Sequence, residues 1–457
     1  MSRFARDLVR IVAINLVVKP AWILAENGVQ NVVGHESYGV YAALFSLTFV
    51  LATMLDPGLT QFATREIAAR NLNRQQIFAT VFWLKAGLSL AFPGVVFVVV
   101  SALGFTHTYM VWALIGAQIC VAMTAFFRGV LQGTQRFYAD GFFSVADKAL
   151  LFPLLFVFWA GMTVEKFAVL NFFSTFVVAL IAAGAVRRFA RYPLPRLAQF
   201  RYVVKYAGNF AVMVLLYNLL DRLNPILVER WAGAQAAGLF AGAHRWFNAF
   251  SMYLWMVLPI FYAKFAQSRD TNLIAAGLPY VAIPLIGVGG FCVFHGEKLL
   301  FLFTRSSPHE IGLMSDVLSV MGLTLILAAI HNIFSTYLTA TGNEKTVNVL
   351  IVLALLADVG VCALFVDEYG PLAGAYGLLA AHTVLFFGYP AALNVRGRIP
   401  LPYPVLFSLV VFAIVYLLTL KLTADWRWMI STITAASASG AIVAVLLRLA
   451  RKRNLPK

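Results

Sequence analysis

Apolar stretches of about 20 residues recur along this chain, and that recurrence fixes the class of fold before any single residue is considered. A run of that length crosses the hydrocarbon core of a bilayer as a helix. In lipid a spanning backbone must satisfy its own polar groups, which leaves helices and closed barrels as the only solutions. The runs fall at roughly 9–31, 39–58, 77–103, 109–131, 141–161, 167–188, 206–229, 236–262, 273–295, 312–340, 346–366, 372–394, 403–421 and 427–449, about fourteen in all. The ten-residue alternation of a transmembrane β-strand is absent. Charged residues make up 12% of the 457 positions, about half the usual share of roughly 25%, too few to cover a soluble fold of this size. The expectation is an all-α, polytopic membrane protein with no long polar insert.

The net charge of +16 would suit a nucleic-acid binder, but its placement does not. Lys and Arg cluster between the apolar runs, in alternate loops, as the positive-inside rule requires. With both termini in the cytoplasm, 25 of the 35 cations fall in inside loops and tails and 6 in outside loops. One missed span would invert every loop after it, so the asymmetry supports the span count as well as the orientation. The N-terminal MSRFARDLVR leads into the first span without a small-residue cleavage site, and reads as part of a retained first helix. Cys120, Cys292 and Cys362 lie far apart within apolar runs and have neither disulfide-framework nor metal-ligand spacing. No Walker motif is present.

The longest connection, Arg187 to Lys205, carries prolines and six cations and reads as a basic cytoplasmic linker. On either side of it lies a repeated pattern. The second span begins Gly34-His-Glu-Ser-Tyr-Gly39-Val-Tyr41-Ala42, and the eighth begins Gly233-Ala-Gln-Ala-Ala-Gly238-Leu-Phe240-Ala241, 199 residues later. Two six-helix lobes joined by the linker would produce this, an arrangement common in secondary transporters. The expected division is 1–190 as the first lobe, 191–205 as linker, 206–398 as the second lobe, and 399–457 as two additional helices with a basic tail.

Ionisable groups within spans are costly, about 2.5–3.5 kcal/mol at mid-depth on insertion scales, and therefore face protein or a wet cavity. In the first span Asn15, Lys19, Glu26 and Gln30 fall on one helical stripe. The seventh carries Asn218, Asp221, Arg222 and Asn224, and the eighth His244, Arg245 and Asn248. Lys85 sits in the third, His331 and Asn332 in the tenth, Asp358 in the eleventh and His382 in the twelfth. Internal ion pairs would account for Glu26 and Asp221, with Lys19 or Arg222 as partners. They leave a cationic surplus among Lys19, Lys85, Arg222 and Arg245, which suits an anionic ligand such as a phosphate. Lys85 has the alternative of snorkelling to the inner interface. His331 and His382 read as packed or hydrogen-bonded helix residues, and Asp358 as either a proton or sodium site or a partner for another helix.

A series of short motifs then carries a resemblance. After Gly34–Tyr41 come Leu55-Asp56-Pro57-Gly58-Leu59 and Arg65-Glu66-Ile67-Ala68. Further on stand Phe127-Arg128-Gly129 with Gln135-Arg136-Phe137, Asp221-Arg222, and Tyr369-Gly370-Pro371-Leu372-Ala373-Gly374-Ala375. In order and spacing these resemble bacterial polysaccharide exporters of the oligosaccharide flippase (Wzx-like) family, within the multidrug/oligosaccharidyl-lipid/polysaccharide exporter superfamily. Pro57 departs from the family, which typically has a Leu-like residue there, and bears on where that helix ends. The resemblance implies two six-helix lobes around a central cavity in the plasma membrane, the inner membrane of a bacterium. It implies alternating access and the flipping of an undecaprenyl-diphosphate-linked oligosaccharide for O-antigen or other surface polysaccharide, without enzymatic chemistry. The implied partners are the lipid-linked oligosaccharide, membrane lipids, and a polysaccharide polymerase and glycosyltransferases of the same synthesis. Within the cavity Lys19, Glu26, Lys85, Asp221, Arg222 and Arg245 are the expected substrate-binding set, with rings such as Trp22, Tyr217, Trp246 and Trp255 stacking on sugars. No cofactor is implied, and coupling to H+ or Na+ is left open.

Three rivals remain. A drug/cation antiporter of the same superfamily would favour an acidic or apolar cavity. A glycan polymerase or lipid-linked glycosyltransferase would need catalytic groups on sizeable outer loops. A scaffold subunit of a synthesis complex would tolerate loss of the cavity charges.

Overall fold

The structure, a computed structural model, describes residues 18, 21–68, 74–105, 108–187, 197–395, 403–422 and 434–435. All regular structure among them is helical. The first helix, α1, is described over residues 21–33. It is followed by α2 (His35–Leu51) with a 3-10 turn at Ala52–Leu55, α3 (Leu59–Ala68), α4 (Arg74–Ala102), α5 (Thr108–Gly133), α6 (Phe137–Phe143), α7 (Ala146–Val157) and α8 (Val164–Val186). Then come α9 (Leu197–Ala232), α10 (Ala234–Ser268), α11 (Asn272–Phe303), α12 (Pro308–Ala340), α13 (Glu344–Tyr369), α14 (Pro371–Val395) and α15 (Tyr403–Leu422). Nine helices among the described residues are long and apolar enough to cross a membrane, so the chain is a multi-pass, all-α membrane protein. Its large apolar side chains are accordingly not all inside. Leu90, Phe156 and Leu364 point outward, as lipid-facing helix surfaces require.

The chain divides into two compact units, Met1–Ile226 and Leu227–Lys457. The division falls inside α9, whose first turns occupy the 197–205 part of the expected linker. In the first unit α5 packs on α8 and on α3. Gly129 and Gly133 make the second contact possible. A methyl at Gly129 would lie 2.6 Å from Thr64 Oγ1, and one at Gly133 would lie 2.9 Å from the Thr64 carbonyl. This is the close backbone approach that small residues permit between membrane helices, and it gives the Phe-Arg-Gly motif a packing role. Arg128 of the same motif ion-pairs with Asp140 on α6 at 2.7 Å, and Gln132 donates to the other carboxylate oxygen at 2.9 Å.

In the second unit α11 packs along α12, α13 along α14, and α12 also contacts α10 and α14. Gly289 and Gly322 cross so closely that a methyl on either would lie 2.5 Å from the other's carbonyl oxygen. At the start of α12, Ser307 and Glu310 form a reciprocal capping box. The fifteenth helix joins this unit through Tyr416, whose hydroxyl donates to the Gly287 carbonyl at 2.9 Å and whose ring lies against Gly290.

Two expected spans are interrupted. The run 39–58 is helical only to Leu55, then breaks at Asp56-Pro57-Gly58, with Gly58 at φ 82°. Proline removes a helix donor and restricts the residue before it, and hydropathy does not register either effect. The run 141–161 is two helices, α6 and α7, separated at Ser144–Val145. The sequence 427–449 lies outside the described residues, apart from Thr434 and Ala435.

Candidate functional site

Each charged position within the spans has a definite setting, apart from Lys19, which lies outside the described residues. Glu26, half-buried on α1, accepts from the Tyr38 hydroxyl at 3.4 Å. Asp221 and Arg222, neighbours on α9, form an ion pair at 2.8 Å in which the guanidinium is 24% and the carboxylate 41% exposed. Arg245 on α10 belongs to the second unit and is 7% exposed.

Lys85, expected to face the cavity or to snorkel, is buried in this structure. It is 1% exposed, with its ammonium 3.1 Å from Asp56 and 3.2 Å from the Leu55 carbonyl. Asp56 in turn accepts the Thr60 backbone N–H at 2.9 Å and the Thr60 hydroxyl. The break after the 3-10 turn is what makes the pair possible. It frees the Leu55 carbonyl from its helix and swings Asp56 to the start of α3, so one cation serves both groups. Asn218 of α9 adds a hydrogen bond to Thr53 in the same turn at 2.9 Å.

Arg222 does more than pair with Asp221. Its guanidinium lies 5.0 Å from the centre of the Phe49 ring and 5.9 Å from that of Phe45. These rings belong to a stripe on α2, Tyr38, Tyr41, Phe45 and Phe49, at spacings of three and four residues that bring side chains onto one helix face. Consecutive centroids are 5.5, 5.9 and 6.2 Å apart. From Tyr41 the contacts continue to Phe167 on α8 at 5.2 Å and from there to Trp22 on α1, stacked at 6.0 Å. The far end is again a cation: the Lys148 ammonium lies 4.3 Å from the Trp22 ring centre. It is also 3.4 Å from Asn171 Oδ1 and 3.4 Å from Asp147. The first unit thus contains a row of aromatic faces with a partly exposed cation over each end. Cations over such faces are held by the ring quadrupole, by about 0.5–2 kcal/mol depending on desolvation.

Sequence reasoning finds Arg222 and Trp22 but misses Lys148, Tyr41, Phe45 and Phe49. Residues 141–161 read as one span, which puts Lys148 near its cytoplasmic end among the inside-loop cations. The break at Ser144–Val145 leaves α7 only 12 residues long, about 18 Å, and sets Lys148 among helices. The i, i+4 recurrence of Tyr41, Phe45 and Phe49 is the signal that could have found the row.

Comparison with known proteins agrees with this fold. The family model for "polysaccharide biosynthesis protein" matches residues 6–261. Among solved structures, a lipid II flippase MurJ in an inward closed conformation superposes with a TM-score of 0.75 at 11% identity, covering 98% of this chain and 100% of that one. An inward-facing multidrug resistance MATE family transporter of the MOP superfamily gives 0.69 at 16% identity, with 83% and 94% covered. A MOP superfamily transporter from Pyrococcus furiosus gives 0.65 at 17%, with 86% and 96% covered. None of the curated proteins matches the chain by sequence.

Proposed function

The chain belongs to the polysaccharide biosynthesis protein family, and on that premise we propose that it flips a lipid-linked oligosaccharide across the membrane by alternating access. The match over residues 6–261 carries the reading. The protein is a transporter and not an enzyme. MurJ, whose fold it shares, is named as a flippase of lipid II. The substrate here is undecaprenyl-diphosphate-linked oligosaccharide, the membrane the bacterial plasma membrane, and the termini cytoplasmic. About fourteen helices form two six-helix lobes, 1–190 and 206–398, with two further helices after them. A polymerase and glycosyltransferases act before and after the transport step.

Lys19, Arg222 and Arg245 bind the diphosphate or acidic sugars, Asp221 and Glu26 hold the cations in place, and the pair Lys85–Asp56 fixes the backbone where α2 gives way to α3. The aromatic row supports the choice of a glycan. Tyr38, Tyr41 and Phe167 are buried within it, so the C–H faces of pyranose rings have the partly exposed Trp22, Phe45 and Phe49 to stack on, while Lys148 and Arg222 at its ends meet hydroxyl, carboxylate or phosphate oxygens. The partial exposure of both cations leaves them accessible to such oxygens. A drug/cation antiporter would gain nothing from cations at these positions.

Export of glycan should fall about ten- to a hundredfold in Lys148→Ala, Arg222→Ala and Arg245→Ala proteins, the loss expected for a charge-assisted hydrogen bond of about 1.5–3 kcal/mol. Membrane abundance measured in parallel should stay near that of the unaltered protein. Unchanged export in all three would remove the binding role, and a matched fall of abundance and export would make these cations purely structural.

A further inference from the structure

Two histidines that read in the sequence as packed or hydrogen-bonded helix residues are hydrogen-bonded to each other inside the second unit. His331 on α12 and His382 on α14 are 3% and 9% exposed, and His331 Nε2 lies 2.9 Å from His382 Nδ1. The ring of Tyr389, seven residues beyond His382 on α14, lies 5.7 Å from that of His331, and the Phe247 ring meets His382 edge-on at 6.5 Å. His331 Nδ1 is buried and has no hydrogen-bond partner among the described residues. His382 sits roughly 17–20 Å from either end of α14, near the middle of that helix.

We propose that the His331–His382 pair is a proton-binding site with a capacity of one. The neutral pair has two arrangements. Either His331 Nε2–H donates to His382 Nδ1, leaving His331 Nδ1 a bare lone pair, or His382 Nδ1–H donates to His331 Nε2, leaving His382 Nε2 bare. One added proton on the bare nitrogen converts both into the same cation, with hydrogens on His331 Nδ1, on His382 Nε2 and in the bridge. No bond breaks and nothing is oxidised. A second proton has no lone pair to occupy except the bridging one. Taking that one would set two N–H groups and two positive charges against each other at 2.9 Å, which like-charge repulsion opposes. The pair therefore titrates as a unit.

The surroundings suit uptake from one side. Ser335 and Thr339 follow His331 on α12 at intervals of four residues, 4% and 8% exposed, so three buried polar groups lie on one face toward the Ala340 end. The buried ionisable groups on the helices packed against α12 and α14 include His244 and Arg245 on α10, Tyr389 on α14 itself, and Asp358 on α13, which packs against Gly377 five residues from His382. On α11, Cys292 meets α12 at Gly322, nine residues away from His331. Protonation would place a charge in the contact between α12 and α14 and so bias how those helices pack, whatever the cargo.

The test is proton counting on the purified full-length protein. Potentiometric titration from about pH 8 down to about pH 4, a range carried below that of exposed histidine because both rings are buried, should show the unaltered protein binding one proton more than a His331→Gln/His382→Asn double variant. A difference of zero makes the rings inert packing, and a difference of two makes them independent; either overturns the proposal. A measurement on the unaltered protein guards against a misfolded variant. In bilayers, 15N-histidine NMR should give one proton-bridged nitrogen–nitrogen cross-peak whose two rings shift with a common midpoint. Separate midpoints, or rings that do not titrate, would refute the single shared site.

Discussion

Lys85 and Asp56 show what a single buried charge demands. An ammonium at 1% exposure survives in a membrane helix because the carboxylate and the Leu55 carbonyl replace its water. Removing one member of such a pair leaves the other uncompensated, at a cost of about 3–5 kcal/mol. Lys85→Met and Asp56→Asn should each lower the thermal unfolding midpoint of the detergent-solubilised protein. The double variant should be more stable than the two losses added together, because its second substitution removes no further pairing. Strict additivity in that cycle would mean the two groups are not coupled. Lys148 illustrates the opposite case, a cation left 29% exposed and resting on an aromatic face, within reach of a ligand.

At the level of elements, the clearest relation is between α2 and α10. Both begin after a glycine in the same unusual conformation, Gly34 at φ 83° and ψ 164° and Gly233 at φ 87° and ψ 170°. That region is open essentially to glycine alone, and other residues held there are strained by about 1–3 kcal/mol. A methyl added to either glycine would meet nothing within 4 Å, so an alanine would suffer from the backbone alone. Gly34→Ala and Gly233→Ala should therefore destabilise by similar amounts, read as similar drops in unfolding midpoint. A large drop at one position and none at the other would deny that the two starts are equivalent. Gly289 and Gly322 exclude larger residues for a different reason: there the obstacle is the facing helix.

For the whole molecule, the cation distribution makes the firmest prediction. Reporter fusions or cysteine labelling after Arg10 and after Arg451 should both report the cytoplasmic side, and an external signal at either end would invert the topology. Such labelling also tests the helix count, because an odd number of spans cannot place both ends together. The resemblance to oligosaccharide flippases, drawn from short motifs in order, is borne out by the family match and by a fold shared with MurJ along 98% of the chain.

Hydropathy and local chemistry by themselves determined the membrane class, the position of most helices and the start of the repeated element, because each depends on residues within a few turns of one another. The same local reading ran through Asp56-Pro57-Gly58 and Ser144–Val145, since a break in hydrogen bonding need not interrupt a run of apolar side chains. Which charges find partners was decided only by the tertiary structure. Lys85 reaches a carbonyl 30 residues away, Lys148 an amide 23 residues away, and His331 an imidazole 51 residues away. In a bilayer every one of these groups must be matched by something, so the sequence announces the need. The matching group lies on another helix, and only the packing of small residues such as Gly129 and Gly289 sets which helix that is.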